Sequence, residues 1–187
     1  MEGLDNFFDN WLKDLLISIG IPEDVSTYLA ISISVIVLII ICYIIYWVTK
    51  RILLRIVSTF VKRTKVDWDD ILLKEKVFNS ISHIAPILVL RYFIPFVFED
   101  FPEVVPILIT ATDIYFIIII VKTINSFFNS VEQVLRRSPA LKDKPMHSYF
   151  QLMKIIVYIL GVILVVSLLI NKSPIYLISA FGAMSAV

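Results

Sequence analysis

The sequence predicts an all-α membrane protein, a helical bundle with four full transmembrane helices, the start of a fifth and an N-terminal interfacial amphipathic helix. Three observations predict it. Hydrophobic residues make up 59% of the 187-residue chain, with a mean hydropathy of +0.89, whereas soluble domains run at roughly 45–50% apolar. Four sparsely charged stretches reach spanning length. The charges are also sorted by segment. Glu2, Asp5, Asp9, Asp14, Glu23 and Asp24 face one base, Lys13, in residues 1–24, while residues 50–76 hold eight bases against four acids. That segregation is a topology signal and not a nucleic-acid footprint, so no nucleic-acid partner is expected. Cys42 is the single cysteine and lies in an apolar run, so no intrachain disulfide can form.

Residues 1–22 form the first unit. Leu4, Phe7, Phe8, Trp11, Leu12 and Leu15 recur at helical spacing, with Asp5, Asp9, Lys13 and Asp14 largely on other faces. This predicts a helix lying in the membrane interface; the alternative is a helix packed on a soluble core. Gly20 and Pro22 end it. The peripheral spans occupy residues 23–172. The first runs from about Val25 to Val48, uncharged, with Tyr43, Tyr46 and Trp47 as an interfacial belt at its far end. A basic amphipathic extension follows, with Ile52, Leu53, Ile56, Val57, Phe60 and Val61 on one stripe and Arg51, Arg55 and Lys62 on another.

The second span covers about Val77 to Phe98, with kinks expected at Pro86 and Pro95. The acidic turn Glu99-Asp100-Phe101-Pro102-Glu103 leads to a third span, about Val104 to Phe128, and then to a polar stretch from Asn129 to Ser148. The fourth span runs from about Tyr149 to Ile170, and Asn171-Lys172-Ser173-Pro174 forms a tight turn. Residues 173–187 begin a fifth segment whose thirteen apolar-run residues from Ile175 are too few to span. By the positive-inside rule the basic segments 50–76 and 129–148 are cytoplasmic. The acidic N-terminus and the turns at 99–103 and 171–174 face outward, with Lys172 the one dissenting charge, and the C-terminus is cytoplasmic.

Arg91 and Asp113 lie inside spans two and three. In an antiparallel hairpin centred near Phe101, Arg91 stands level with Thr112 or Asp113, and pairing lowers the cost of each buried charge. An ion pair fixing the hairpin register is therefore expected, in preference to an ion or proton relay. Lys122 can snorkel to the headgroups, and Asn125 and Asn129 continue a polar stripe suited to interhelical bonding. Enzyme chemistry has no foothold: His83 and His147 accompany no metal-ligand pattern, and no nucleophile elbow or phosphate loop is present. No metal or cofactor is expected. Asp67, Asp69 and Asp70 read as helix-start acids before they read as metal ligands.

Two features point further. One is the junction Lys65-Val66-Asp67-Trp68-Asp69-Asp70-Ile71-Leu72-Leu73. The other is the terminal run from Ser173 to Val187, whose Ser179, Ala180, Gly182, Ala183, Ser185 and Ala186 permit close helix packing. Together with the five-segment plan they resemble the MscS-like mechanosensitive channels, particularly the five-span YbdG-type subgroup. The resemblance implies an inner-membrane homo-oligomer, typically of seven copies, opened by membrane tension and protecting cells from hypoosmotic shock. It implies that the fifth helix lines the pore, with Ala180, Gly182, Ala183 and Ala186 packing or lining it and Val187 near its upper lumen. Lipids and permeating ions are the other partners, and Arg51, Arg55, Lys62 and Arg63 are expected on inner-leaflet headgroups. The constriction and cytoplasmic vestibule of that family would follow Val187, so the chain reads as the membrane part of a longer protein. A secondary transporter subunit and a non-conducting scaffold are the alternatives; the chain has no internal repeat of the transporter kind.

Overall fold

A computed structural model describes residues 13–61, 77–137 and 146–185, and among these the regular structure is helical, with no strand. The elements are α1 (Glu23–Val61), α2 (Val77–Ile81), α3 (Ile84–Val97), α4 (Val104–Arg137), α5 (Met146–Leu169) and α6 (Pro174–Ser185). Residues 13–18 are helical as well. The turn after them bonds Gly20 N–H to Ile17 O at 2.9 Å and Ile21 N–H to Leu16 O at 3.3 Å, with Gly20 at φ 92°. That is a Schellman stop, which the missing Cβ of glycine makes cheap. Residues 1–12 lie outside the described segments, so the apolar stripe from Leu4 to Leu12 does too.

α1 has 39 residues, about 58 Å of helix and far more than the roughly 30 Å of a hydrocarbon core. Isoleucine and valine dominate its apolar part, and in lipid a helix is the single-segment way to bond every backbone group. Ser26, Ala30 and Leu38 are buried among its described residues. The first two are small and four apart, a face that allows close approach; α1 packs chiefly on α3, whose own buried residues are Ile87 and Ile94.

The second span is broken. The helix stops at Ile81 and restarts at Ile84, leaving Ser82 and His83 in the gap, four and three residues before Pro86. Pro86 has no N–H for the Ser82 carbonyl, and its ring would collide with that carbonyl in a continuous helix. The chain turns instead: His83 N–H bonds Ser80 O at 3.1 Å, and the Ser82 hydroxyl donates to Phe78 O at 2.7 Å. The expected kink at Pro86 is thus a full break, displaced toward the N-terminus, while Pro95 sits within α3 near its end.

α3 and α4 form an antiparallel hairpin closed by Phe101 N–H on Phe98 O at 2.9 Å and Val104 N–H on Phe101 O at 3.0 Å. The N-terminal segment is fastened to this turn by the Lys13–Asp100 ion pair, and the Tyr28 ring of α1 lies 6.0 Å from Phe101. α4 continues without interruption through Arg137. The polar stretch beginning at Asn129 is therefore helical for its first nine residues, held in part by the Glu132–Arg136 pair at i, i+4 (2.9 Å).

α5 runs antiparallel to α4. The Phe128 and Phe150 rings are 6.2 Å apart, and Gly161 abuts Val121. Asn171 stops the helix in the left-handed region (φ 52°), with Lys172 N–H on Ser167 O at 3.1 Å and Asn171 N–H on Leu168 O at 3.3 Å. This is a second Schellman motif, using asparagine where glycine is usual. The Ser167 hydroxyl also donates to the Lys172 carbonyl.

The outer surface is apolar. In each of the four apolar spans, the broken second one (Val77–Val97) included, only 11–17% of the most apolar stretch is buried within the bundle. Side chains such as Ile36, Ile39 and Val162 stand more than half exposed. Faces of this kind require lipid or other helices around them, because water does not tolerate continuous apolar area on that scale.

Candidate functional site

Arg91 and Asp113 meet across the α3–α4 hairpin. Arg91 Nε lies 2.5 Å from Asp113 Oδ1 and Nη2 lies 3.1 Å from Oδ2, a two-pronged contact. The arginine comes ten residues before Phe101 and the aspartate twelve after it, so the pair sits about 15–18 Å along the helices from the turn. Its depth follows from hairpin geometry alone.

The aspartate also borders a recess of about 480 Å³, with Phe116, Ile117, Ser167, Asn171 and Lys172 among its walls. The recess exists because α5 is offset. With Phe150 beside Phe128 and Gly161 beside Val121, the antiparallel register brings Leu169 level with Asp113. The α5–α6 turn consequently lies about 15 Å short of the α3–α4 turn, and the space above it stays open. An intramembrane carboxylate thus borders the turn that launches α6.

Of the residues proposed for the last helix, Ala180, Gly182 and Ala183 are exposed on α6; Ala186 and Val187 lie outside the described residues. α6 packs chiefly on α5. Ile175 is 74% and Met184 77% exposed, and a Cβ added at Gly182 would meet nothing within 4 Å. Gly161 is the opposite case: a Cβ there would come 2.6 Å from Val121 Cγ2.

Arg51 and Arg55 are exposed on the α1 extension. The Arg51 guanidinium stacks over Trp47 at 4.6 Å, a cation–π contact at the foot of the apolar run. Ile52 and Ile56 are also about half exposed, while the side chains of residues 57–62 lie outside what the structure describes. Lys62, Arg63 and the Trp68 junction lie outside the described residues. Lys122 is exposed, and Asn125 is buried with its amide nitrogen on Val121 O at 2.9 Å.

Two polar clusters escape a reading of the sequence. At the α2–α3 break, Tyr46 donates to Asn79 Oδ1 at 2.8 Å, its ring lies 4.7 Å from that of His83, and Lys50 Nζ approaches the Tyr46 hydroxyl at 3.5 Å. The proline was the available signal. At the ends of α4 and α5, the nearly buried Glu132 receives Arg136 at 2.9 Å, His147 at 2.7 Å and Lys154 at 3.1 Å. The signal there was weak: an acid and a base at i, i+4 on α4, and a lysine within an apolar run on α5. Among the described residues, no three histidine, cysteine, aspartate or glutamate side chains converge as a metal would require.

Four long apolar helices with outward-facing apolar surfaces define a multi-pass helical membrane protein. The sequence matches no known protein-family model, and no solved structure matches the fold.

Proposed function

We propose that the chain forms the membrane-embedded helices of a tension-gated, MscS-like ion channel of the inner membrane. Several copies assemble around a pore lined by α6. The observation that carries this reading is the contrast between two glycines. Gly161 is required by a contact within the subunit, whereas Gly182 meets nothing there. A short apolar helix carrying Ser179, Ala180, Gly182 and Ala183 has small residues to spare in the isolated subunit. Close approach by α6 of a neighbouring copy gives them a use.

Tension favours the conformation with the larger membrane area and so shifts the population toward a wider, open pore. α1, α3 and α4 take the lipid-facing role, with the Arg91–Asp113 pair and the recess beside it joining the α3–α4 hairpin to the start of α6. Basic residues on the α1 extension, Arg51 and Arg55 with Lys62 and Arg63, bind anionic inner-leaflet headgroups. The acidic N-terminus and the turns at 99–103 and 171–174 then face outward, following the positive-inside rule. Closure by dewetting of an apolar constriction suits such a pore. A homo-oligomer of seven follows from the family resemblance.

A secondary transporter subunit is the second reading, favoured by the broken span at Ser82–His83. Transporter sites built on broken helices sit near the midplane. This break is eighteen residues from Phe101, about 27 Å along the helix, and faces Tyr46 at the end of the first apolar run. It lies near one membrane face, which favours the channel.

The deciding experiment is patch-clamp of the full-length protein in channel-free spheroplasts under graded suction. Stepwise, tension-dependent conductance supports the reading. Its absence in protein verified to be in the membrane and oligomeric overturns it.

A further inference from the structure

We propose that the polar recess between the ends of α4 and α5, where Arg136, His147 and Lys154 converge on Glu132, is a binding site for a phosphate-bearing anion. The recess has a volume of about 390 Å³ and is lined by Asn129, Glu132, Gln133, Arg136, His147 and Lys154. Cavities of roughly 300–1,000 Å³ are those that take small ligands.

Charge is the first argument. A guanidinium and an ammonium share one carboxylate, with Arg136 and His147 both on Oε1 and Lys154 on Oε2. One cation suffices to neutralise Glu132, so the cluster carries a net positive charge, larger again when His147 is protonated. A single carboxylate held by three donors is over-provided as a structural tie. It is better suited to holding cationic side chains in place for a second anion. Phosphate oxygens are strong acceptors for arginine and lysine, and arginine can grip two of them at once.

Exposure is the second. Glu132 is 9% and Lys154 20% exposed at the side chain, while Arg136 and His147 are 56% and 62% exposed. The site therefore has a fixed floor and two side chains free to swing onto a ligand. Asn129 and Gln133 line the same wall, so neutral polar side chains border the charges.

Position is the third. Glu132 lies about 42 Å along α4 from Val104 and beyond the apolar run that ends at Phe128. Hydrocarbon is about 30 Å thick and the whole bilayer about 40–45 Å with its headgroups. The recess is thus at headgroup depth, open both to a phospholipid phosphate and to a free phosphate from the adjoining water. Both sources present the same chemistry. The site is separate from the arginines of the α1 extension and stands whether or not the chain conducts ions.

The test uses the full chain purified in a neutral maltoside detergent and titrated with dioctanoyl phosphatidylglycerol and with inorganic phosphate, read by calorimetry. Saturable binding of at least one probe is expected, and its absence for both in the folded protein overturns the site. The double substitution Arg136→Gln/Lys154→Gln weakens it by at least about tenfold, the loss of charge-assisted hydrogen bonds. Glu132→Gln strengthens it several-fold, because the competing internal anion is removed. Binding of the lipid without competition from phosphate assigns a headgroup; competition by phosphate assigns the free anion. Circular dichroism checks that each variant folds, and His147→Ala, at an exposed side chain, gives a milder weakening if the double variant does not. Affinity for both probes unchanged by every folded variant overturns the site, as does weaker binding in folded Glu132→Gln.

Discussion

Gly161 of α5 lies against Val121 of α4 so closely that a Cβ on the glycine would stand 2.6 Å from Val121 Cγ2. No real Cβ contact is that short, and valine has little freedom to yield, since its branch at Cβ leaves essentially one helical rotamer. Gly161→Ala is expected to destabilise the α4–α5 pair by about 1–3 kcal/mol through overpacking, offset by up to about 1 kcal/mol of improved helix propensity. Val121→Ala in the same chain should recover most of the loss. Thermal unfolding in detergent of the two single variants and the double variant checks this. Additive losses would show that the contact does not set the spacing of the helices.

Asn171 occupies the left-handed region at φ 52° and closes α5 through the bonds from Asn171 and Lys172 back to Leu168 and Ser167. Asparagine tolerates that conformation, and β-branched residues do not. Asn171→Val should destabilise the turn by about 1–2 kcal/mol, while Asn171→Gly should stay within about 0.5 kcal/mol of the parent. The α5–α6 turn borders the recess beside Asp113. Hydrogen exchange of the amides at 170–173 should accordingly rise in the valine variant alone. Equal exchange in both variants would rule out a dependence on the backbone angle.

The long helices were legible because a membrane reduces the problem to apolar length, and the runs around Ile36, Leu90, Ile118 and Val162 are long enough by themselves. Depth within a hairpin was legible too, since counting residues from Phe101 puts Arg91 and Asp113 at similar levels. What escaped depends on partners from other helices. A lone Glu132 in a polar stretch reads as solvated until α5 supplies His147 and Lys154. Pro86 announces a disturbance, but whether the helix kinks or breaks depends on what receives the freed groups: the His83 ring nitrogen lies 2.8 Å from Asn79 O, and α1 adds Tyr46 on the Asn79 side chain. The offset of α5, and with it the recess, rests on which residue of α4 meets Gly161, and no periodicity encodes that.

Tyr46 ties α1 to the broken span through its hydroxyl on Asn79 Oδ1 at 2.8 Å and its ring near His83. Tyr46→Phe keeps the ring and removes the bond, so it should destabilise by about 0.5–1.5 kcal/mol. Tyr46→Leu loses the ring contact as well and should be worse. The two substitutions, compared by unfolding in detergent, separate the hydroxyl from the ring. A phenylalanine variant as stable as the parent would show that the hydroxyl finds an equally good partner elsewhere.

Asp113 is the acid inside the α3–α4 hairpin and Arg91 its two-pronged partner. Removing either charge strands the other at a depth where solvation is poor, and a stranded charge costs more than the pair contributed. Arg91→Gln and Asp113→Asn should each destabilise, and the double variant should lose less than the two losses combined. A coupling of about 0.5–3 kcal/mol is the range for contacting partners. The arginine is about half exposed at its side chain and the aspartate borders the open recess, so screening by entering water places the value toward the lower end. Exchanging the two residues, Arg91→Asp with Asp113→Arg, should restore part of the stability, because the antiparallel register keeps the positions opposed whichever helix carries the cation. A double variant whose loss equals the combined single losses would remove the pair from any account of how the α3–α4 hairpin is held.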